Sequence, residues 1–152
     1  VNNSKDGKIL VMATPMTLKE AKFHKLLDRY RDKREIEPVP CGGLMEYVEQ
    51  GILEGDELDD YLREKLKPFM DSKISSIVLG CTHYPFVKNA IEKVVGQDVD
   101  IIDGSLGTAR ELMRRLKEKD LLNDSKEKGT IEMINSSNKQ ELIDLSWKLI
   151  EM

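Results

Sequence analysis

The sequence predicts an α/β fold: a parallel open sheet with helices on both faces, followed by part of a second lobe. Three observations carry this. Five short β-rich runs punctuate the chain, amphipathic helical patterns fill the gaps between them, and chemistry-bearing residues gather where the runs end. Strands that alternate with helices form parallel pairs, and such sheets are covered on both sides by their crossover helices.

Taken in order, "KILVMA" (8–13) is the first run. Leu18, Phe23, Leu26, Leu27 and Tyr30 then recur at mostly three- and four-residue spacing, the pattern of one helix, with Thr17 and Glu20 placed as a capping box at its start. "EIEPVPC" (35–41) is the second run. Leu44/Tyr47/Val48 and then Leu58/Tyr61/Leu62/Leu66/Phe69 mark two further helices. "SSIVLGC" (75–81) is the third run, followed by the stripe Val87/Ala90/Ile91/Val94/Val95; "VDIIDG" (99–104) is the fourth, followed by Leu106/Ala109/Leu112/Met113/Leu116. A polar, linker-like stretch (119–129) leads to the fifth run, "TIEMINS" (130–136), and to a last helix with Leu142, Leu145, Ser146 and Leu149 on one face. Trp147 belongs to that helix and is explained by packing, and His24, beside Phe23, reads as a boundary residue.

Bulk properties exclude several functions. The chain has 152 residues, 39% hydrophobic and 34% charged with both signs interspersed, which suits a soluble globular domain. A net charge of -4 argues against nucleic acid as a partner, because phosphate neutralisation requires a basic face. No apolar stretch reaches membrane-spanning length, so no membrane role is expected. The opening "VNNSKDGK" lacks the apolar core of a secretory signal, and two cysteines without an export signal suggest reduced thiols in a cytoplasmic protein.

Open parallel sheets place functional loops beyond the carboxyl ends of their strands. The segments expected there are "ATPMT" (13–17), "CGGLME" (41–46), "GCTHYP" (80–85) and "DGSLGT" (103–108), and they concentrate hydroxyls, thiols and glycines. "GSLGT" lacks the lysine and spacing of a phosphate-binding loop. In the third segment Cys81, Thr82 and His83 are consecutive. Thr82 is a natural N-cap for the helix that follows, Pro85 fits its first turn, and a thiol beside a helix N-terminus is drawn toward the thiolate. A cysteine phosphatase needs an arginine six positions after the thiol, where Val87 stands. A zinc site from Cys41, Cys81, His24 and His83 lacks the paired ligand spacing. The remaining chemistry is proton transfer by the thiol, with nearby hydroxyls holding an anionic substrate.

"VLGCTHYPF" resembles the signature around the second catalytic cysteine of the glutamate racemases, and "IIDGSLGTA" follows at that family's spacing. Upstream, "VMATPMTL" resembles its Thr-containing strand-end loop and "VPCGGLMEYVEQG" its segment ending in an acidic residue. The resemblance spans essentially the whole chain. It implies a flavodoxin-like lobe over 1–103 that carries the second-cysteine half-site, and over 104–152 a strand and helices of an incomplete second lobe. It further implies racemisation of glutamate without a cofactor and without a metal, by two cysteines that act as base and acid on opposite faces of the substrate. Cys81 is then one of that pair, His83 assists it, Glu49 is the acidic residue of this half-site, and Thr82, Thr14 and Thr17 bind substrate. Thr17 also has an explanation as a helix cap.

The family's first half, including its first catalytic cysteine, has no counterpart in these residues. Cys41 falls at a strand end that the family does not use as a base and reads as packing or site margin. The chain therefore resembles the carboxyl-terminal portion of such an enzyme, serving peptidoglycan synthesis and inactive by itself until the other half completes the site. Apolar faces beyond Asp103, among them Leu112, Leu116, Ile131, Met133 and Leu145, then lack their partners. Such faces would pack on the first lobe, join another copy in a homo-oligomer, or stay mobile. The competing readings are a non-catalytic α/β module that binds a small carboxylate or phosphate, and a structural subunit needing another chain.

Overall fold

A computed structural model describes residues 6–137 and 139–151. Four strands, β1 (Lys8–Ala13), β2 (Ile36–Pro40), β3 (Ile74–Leu79) and β4 (Asp100–Ile102), form one parallel sheet in the order β2-β1-β3-β4. In register, Ala13 pairs with Pro40 of β2, Met12 with Leu79 of β3, and Val78 with Ile102 of β4. The central position of β1 follows from its composition. Ile9, Leu10, Met12 and Ala13 are all buried, two adjacent pairs that bury both faces of the strand, as a strand covered on both sides requires.

The connections are α1 (Pro15–Lys19) and α2 (Ala21–Tyr30) after β1; α3 (Leu44–Glu49) and α4 (Asp56–Leu66) after β2; and α5 (Lys88–Val95) after β3. The core of this unit is built by i, i+4 stripes: Leu58, Leu62 and Leu66 of α4 and Ile91 of α5 are fully buried, as are Leu44 and Val48 of α3. Asp59, also buried on α4, pairs with Lys93 of α5, and Arg63 stands 3.9 Å from the same carboxylate oxygen.

The chain divides into two compact units, one ending at Asp103 and one beginning at Gly104. The second contains α6 (Ser105–Glu118) and α7 (Gln140–Ile150), and neither helix has a buried residue among those described. Leu106, Leu112, Met113, Ile131 and Ile134 are exposed, whereas Leu116, Met133 and Leu145 are half-buried. A helix with so clear an apolar stripe and no buried side chain has not found its packing partner within the described residues of its own unit. Among the described residues no helix is long and apolar enough to cross a membrane.

Three local expectations are corrected. The run 130–136 is not a strand: it is irregular, and Asn135 accepts from the Ser137 amide at 2.9 Å in a local turn. An extended segment needs a neighbouring backbone to complete its hydrogen bonds, and no other strand lies in the described part of its unit. The helical pattern from Leu18 to Tyr30 is two helices, because Glu20 is extended (φ -67°, ψ 135°) and ends α1 while starting α2. The capping box of Thr17 and Glu20 does not form, since Thr14 is the cap of α1 and Glu20 makes no side-chain cap bond.

Candidate functional site

The strand order creates a switch point. From β1 the chain crosses to β2 on one side and later returns to β3 on the other, so the carboxyl ends of β1 and β3 lie side by side with their loops diverging. Gly80 permits the close approach. Its amide donates to the Met12 carbonyl at 2.8 Å, and a Cβ at this position would stand 3.0 Å from the Ala13 Cβ. The next residues on the two sides are Thr14 and Cys81.

On the β1 side, Thr14 is extended and its Oγ1 accepts from the Thr17 amide at 3.2 Å; the two hydroxyl oxygens are 2.9 Å apart. Pro15 starts α1 where its lack of an N–H is harmless. The two threonines are thus a linked pair held by a helix cap.

On the β3 side, the Cys81 thiol is half-buried and its Sγ is 3.8 Å from Nδ1 of His83. His83 Nε2 is 3.5 Å from Oε1 of Glu49, the last residue of α3. The three side chains form a line in which the imidazole separates thiol from carboxylate. A carboxylate at Nε2 favours the tautomer with its proton there, which leaves the Nδ1 lone pair facing the thiol. Such a line can take the thiol proton and return it. The first contact is a long sulfur hydrogen bond and the second an ion-pair contact at the outer edge of hydrogen-bond distance.

Thr82 is exposed between Cys81 and His83, and it is not a helix cap. The residues after it form a 3-10 turn, Tyr84–Val87, with Pro85 in its first positions and His83 preceding it. The Tyr84 amide donates to the Cys81 carbonyl at 3.3 Å, which closes a turn over residues 81–84 and keeps His83 beside Cys81. The structure thus brings Cys81, His83 and Glu49 together, links Thr14 to Thr17 on the adjacent strand end, and leaves Thr82 exposed beside the thiol.

Cys41 has a different environment. It is 1% exposed, its thiol donates to the Val39 carbonyl at 3.4 Å, and burial pushes its pKa up to about 12. A thiol so held stays protonated at neutral pH. Two buried or part-buried tyrosines fasten the loop that begins with it: Tyr84 Oη donates to the Cys41 carbonyl and Tyr61 Oη to the Gly42 carbonyl, each at 2.9 Å. Burial raises the pKa of both phenols well above the ordinary value, so each remains a donor. Sequence patterns do not single out these hydroxyls, because both tyrosines stand where an apolar side chain would serve. The turn they fasten ends in Gly43, whose φ of 95° suits glycine and which starts α3.

No protein-family model matches the chain. It is 54% identical over 146 residues to a glutamate racemase of Clostridium perfringens, covering 96% of this chain and 56% of that protein. A glutamate racemase of Clostridium botulinum is 50% identical over 152 residues, all of this chain and 59% of the relative. Among solved structures, glutamate racemase from Francisella tularensis in complex with D-glutamate superposes with a TM-score of 0.77 at 27% identity, over 95% of this chain and 54% of that one. The chain thus spans little more than half the length of the relatives it matches.

Proposed function

We propose that this glutamate racemase homologue supplies one half of a racemase site, in which Cys81 exchanges the α-proton of glutamate. The observation that carries the reading is the Cys81–His83–Glu49 line beside the Thr14/Thr17 pair at the switch point. His83 accepts the Cys81 proton at Nδ1, and Glu49 steadies the resulting imidazolium from Nε2. The thiolate then removes the α-proton from one face of the substrate, and a thiol on the opposite face returns a proton, which inverts the centre. In the reverse direction Cys81 is the donor. Thr82, Thr14 and Thr17 supply hydroxyls for the substrate carboxylate. No cofactor takes part in this scheme.

One thiol cannot act on both faces, and Cys41 is buried and held protonated. The opposing thiol therefore comes from the portion of the racemase fold that the relatives have and this chain does not span. The same portion covers the exposed apolar stripe of α6, so the residues from Gly104 onward are part of a second lobe completed by it. In that whole form the protein interconverts L- and D-glutamate in the cytoplasm for peptidoglycan synthesis. The experiment is to incubate the chain with D-glutamate in deuterated water, alone and with the complementary portion of a close relative. Inversion with deuterium uptake is expected only from the pair. Inversion by the chain alone contradicts the half-site reading, and a pair that binds glutamate without turnover favours a binding module.

A further inference from the structure

We propose that Tyr84 is a positioning residue that sets the distance between Glu49 and His83, by bracing two strand ends that the sheet itself leaves unconnected. The inference rests on the reading of Cys81, His83 and Glu49 given above. In the sheet, β2 and β3 are not neighbours; each pairs with β1. At their carboxyl ends the Cys41 amide donates to the Ala13 carbonyl at 2.9 Å and the Gly80 amide to the Met12 carbonyl at 2.8 Å. The two outer loops are therefore both hinged on β1, and nothing in the strand ladder fixes one against the other. Glu49 is carried by the loop and helix after β2, His83 by the loop after β3. Their separation would be soft if β1 were the sole link.

Tyr84 closes this triangle. It is fully buried, it directly follows His83, and its amide donates to the Cys81 carbonyl at 3.3 Å, so its backbone is part of the turn that presents both the thiol and the imidazole. Its hydroxyl crosses to the Cys41 carbonyl, three residues before α3 starts. Beyond this bond the Cys41 carbonyl has the Leu44 amide at 3.4 Å. A rigid ring between the His83 turn and the root of the Glu49 helix transmits the placement of one to the other. Packing alone requires only the ring; the hydroxyl is what fixes the register.

The test is a double-mutant cycle on the 152-residue chain, read as the rate of Cys81 alkylation by iodoacetamide in Glu49→Gln, Tyr84→Phe and the double variant. Each single change should slow alkylation by roughly three- to tenfold, the scale of coupling between groups in one network. The double variant should be no slower than Glu49→Gln, because the brace acts through that carboxylate. Thermal unfolding separately registers loss of structure, and 4-aminophenylalanine at position 84, which keeps the ring and a donor, should restore the parent rate. If Tyr84→Phe does not fold, this last variant carries the test, and a rate as slow as Glu49→Gln overturns the proposal. An unchanged rate in Tyr84→Phe while Glu49→Gln slows, or effects that multiply in the double variant, also overturn it. If Glu49→Gln leaves the rate unchanged, the reading of the site fails first and the brace has nothing to position.

Discussion

Treating the native chain with iodoacetamide at pH 8 should modify Cys81 and spare Cys41 by a wide margin. The magnitude follows from the state of each thiol. With its pKa pushed to about 12 by burial, Cys41 is a thiolate in only about one molecule in ten thousand at that pH. An ordinary free cysteine would be ionised in about a quarter of molecules, so ionisation alone slows Cys41 roughly two-thousandfold relative to it. Its 1% exposure adds the requirement for a local opening, which lowers the rate further. Cys81 is half-buried beside an imidazole and needs no such opening to be reached. Peptide mass spectrometry of samples quenched at successive times gives both rates from one reaction. Modification of Cys41 within tenfold of the rate of a small-molecule thiol would refute the assignment of that residue to packing, and would reopen it as a base.

The same burial makes Cys41 a source of alkaline instability. Its folded pKa lies above the ordinary value, so its contribution is fully present below about pH 9 and is lost as pH rises toward 12; the displacement corresponds to about 4 kcal/mol, and urea unfolding of Cys41→Ala should show a shallower decline over that range. Gly80→Ala forces a Cβ to 3.0 Å from that of Ala13 and 3.3 Å from the Met12 carbonyl, and should cost about 1–3 kcal/mol in the same assay. Lys93→Met leaves the Asp59 carboxylate buried without its nearest cation and should lower the melting temperature more than Lys93→Met combined with Asp59→Leu does. Hydrogen exchange should find the amides of β1 and β3 strongly protected and those of residues 121–134 exchanging quickly, since the latter segment is irregular and almost wholly exposed.

How much of this was legible in the sequence depended on how local the determining interactions are. β1 is legible to the residue, because five apolar residues following Lys8, bounded by Gly7 and Thr14, admit one strand. The gathering of Cys81 and His83 was legible because they are two residues apart, and Glu49 was reached through a resemblance rather than through spacing. The Thr14 cap escaped the pattern because Thr17 and Glu20 satisfy the same rule three residues later; Pro15, fixed in the helical φ range, settles the start in favour of Thr14. Residues 130–136 have the composition of a strand, yet composition does not supply the neighbouring backbone that a strand needs. The bracing hydroxyl of Tyr84 depends on a contact across 43 residues, and no local rule reaches that far.

The central claim is that Cys81, and not Cys41, is the acid and base that this chain contributes. Its most direct test pairs the complementary racemase portion with the parent chain, with Cys41→Ala and with Cys81→Ala, and follows D-glutamate in deuterated water by circular dichroism and by proton NMR at the α-carbon. The account predicts inversion with deuterium uptake from the parent and from Cys41→Ala, and no inversion from Cys81→Ala. Inversion by Cys81→Ala, or its loss in a folded Cys41→Ala, would contradict it.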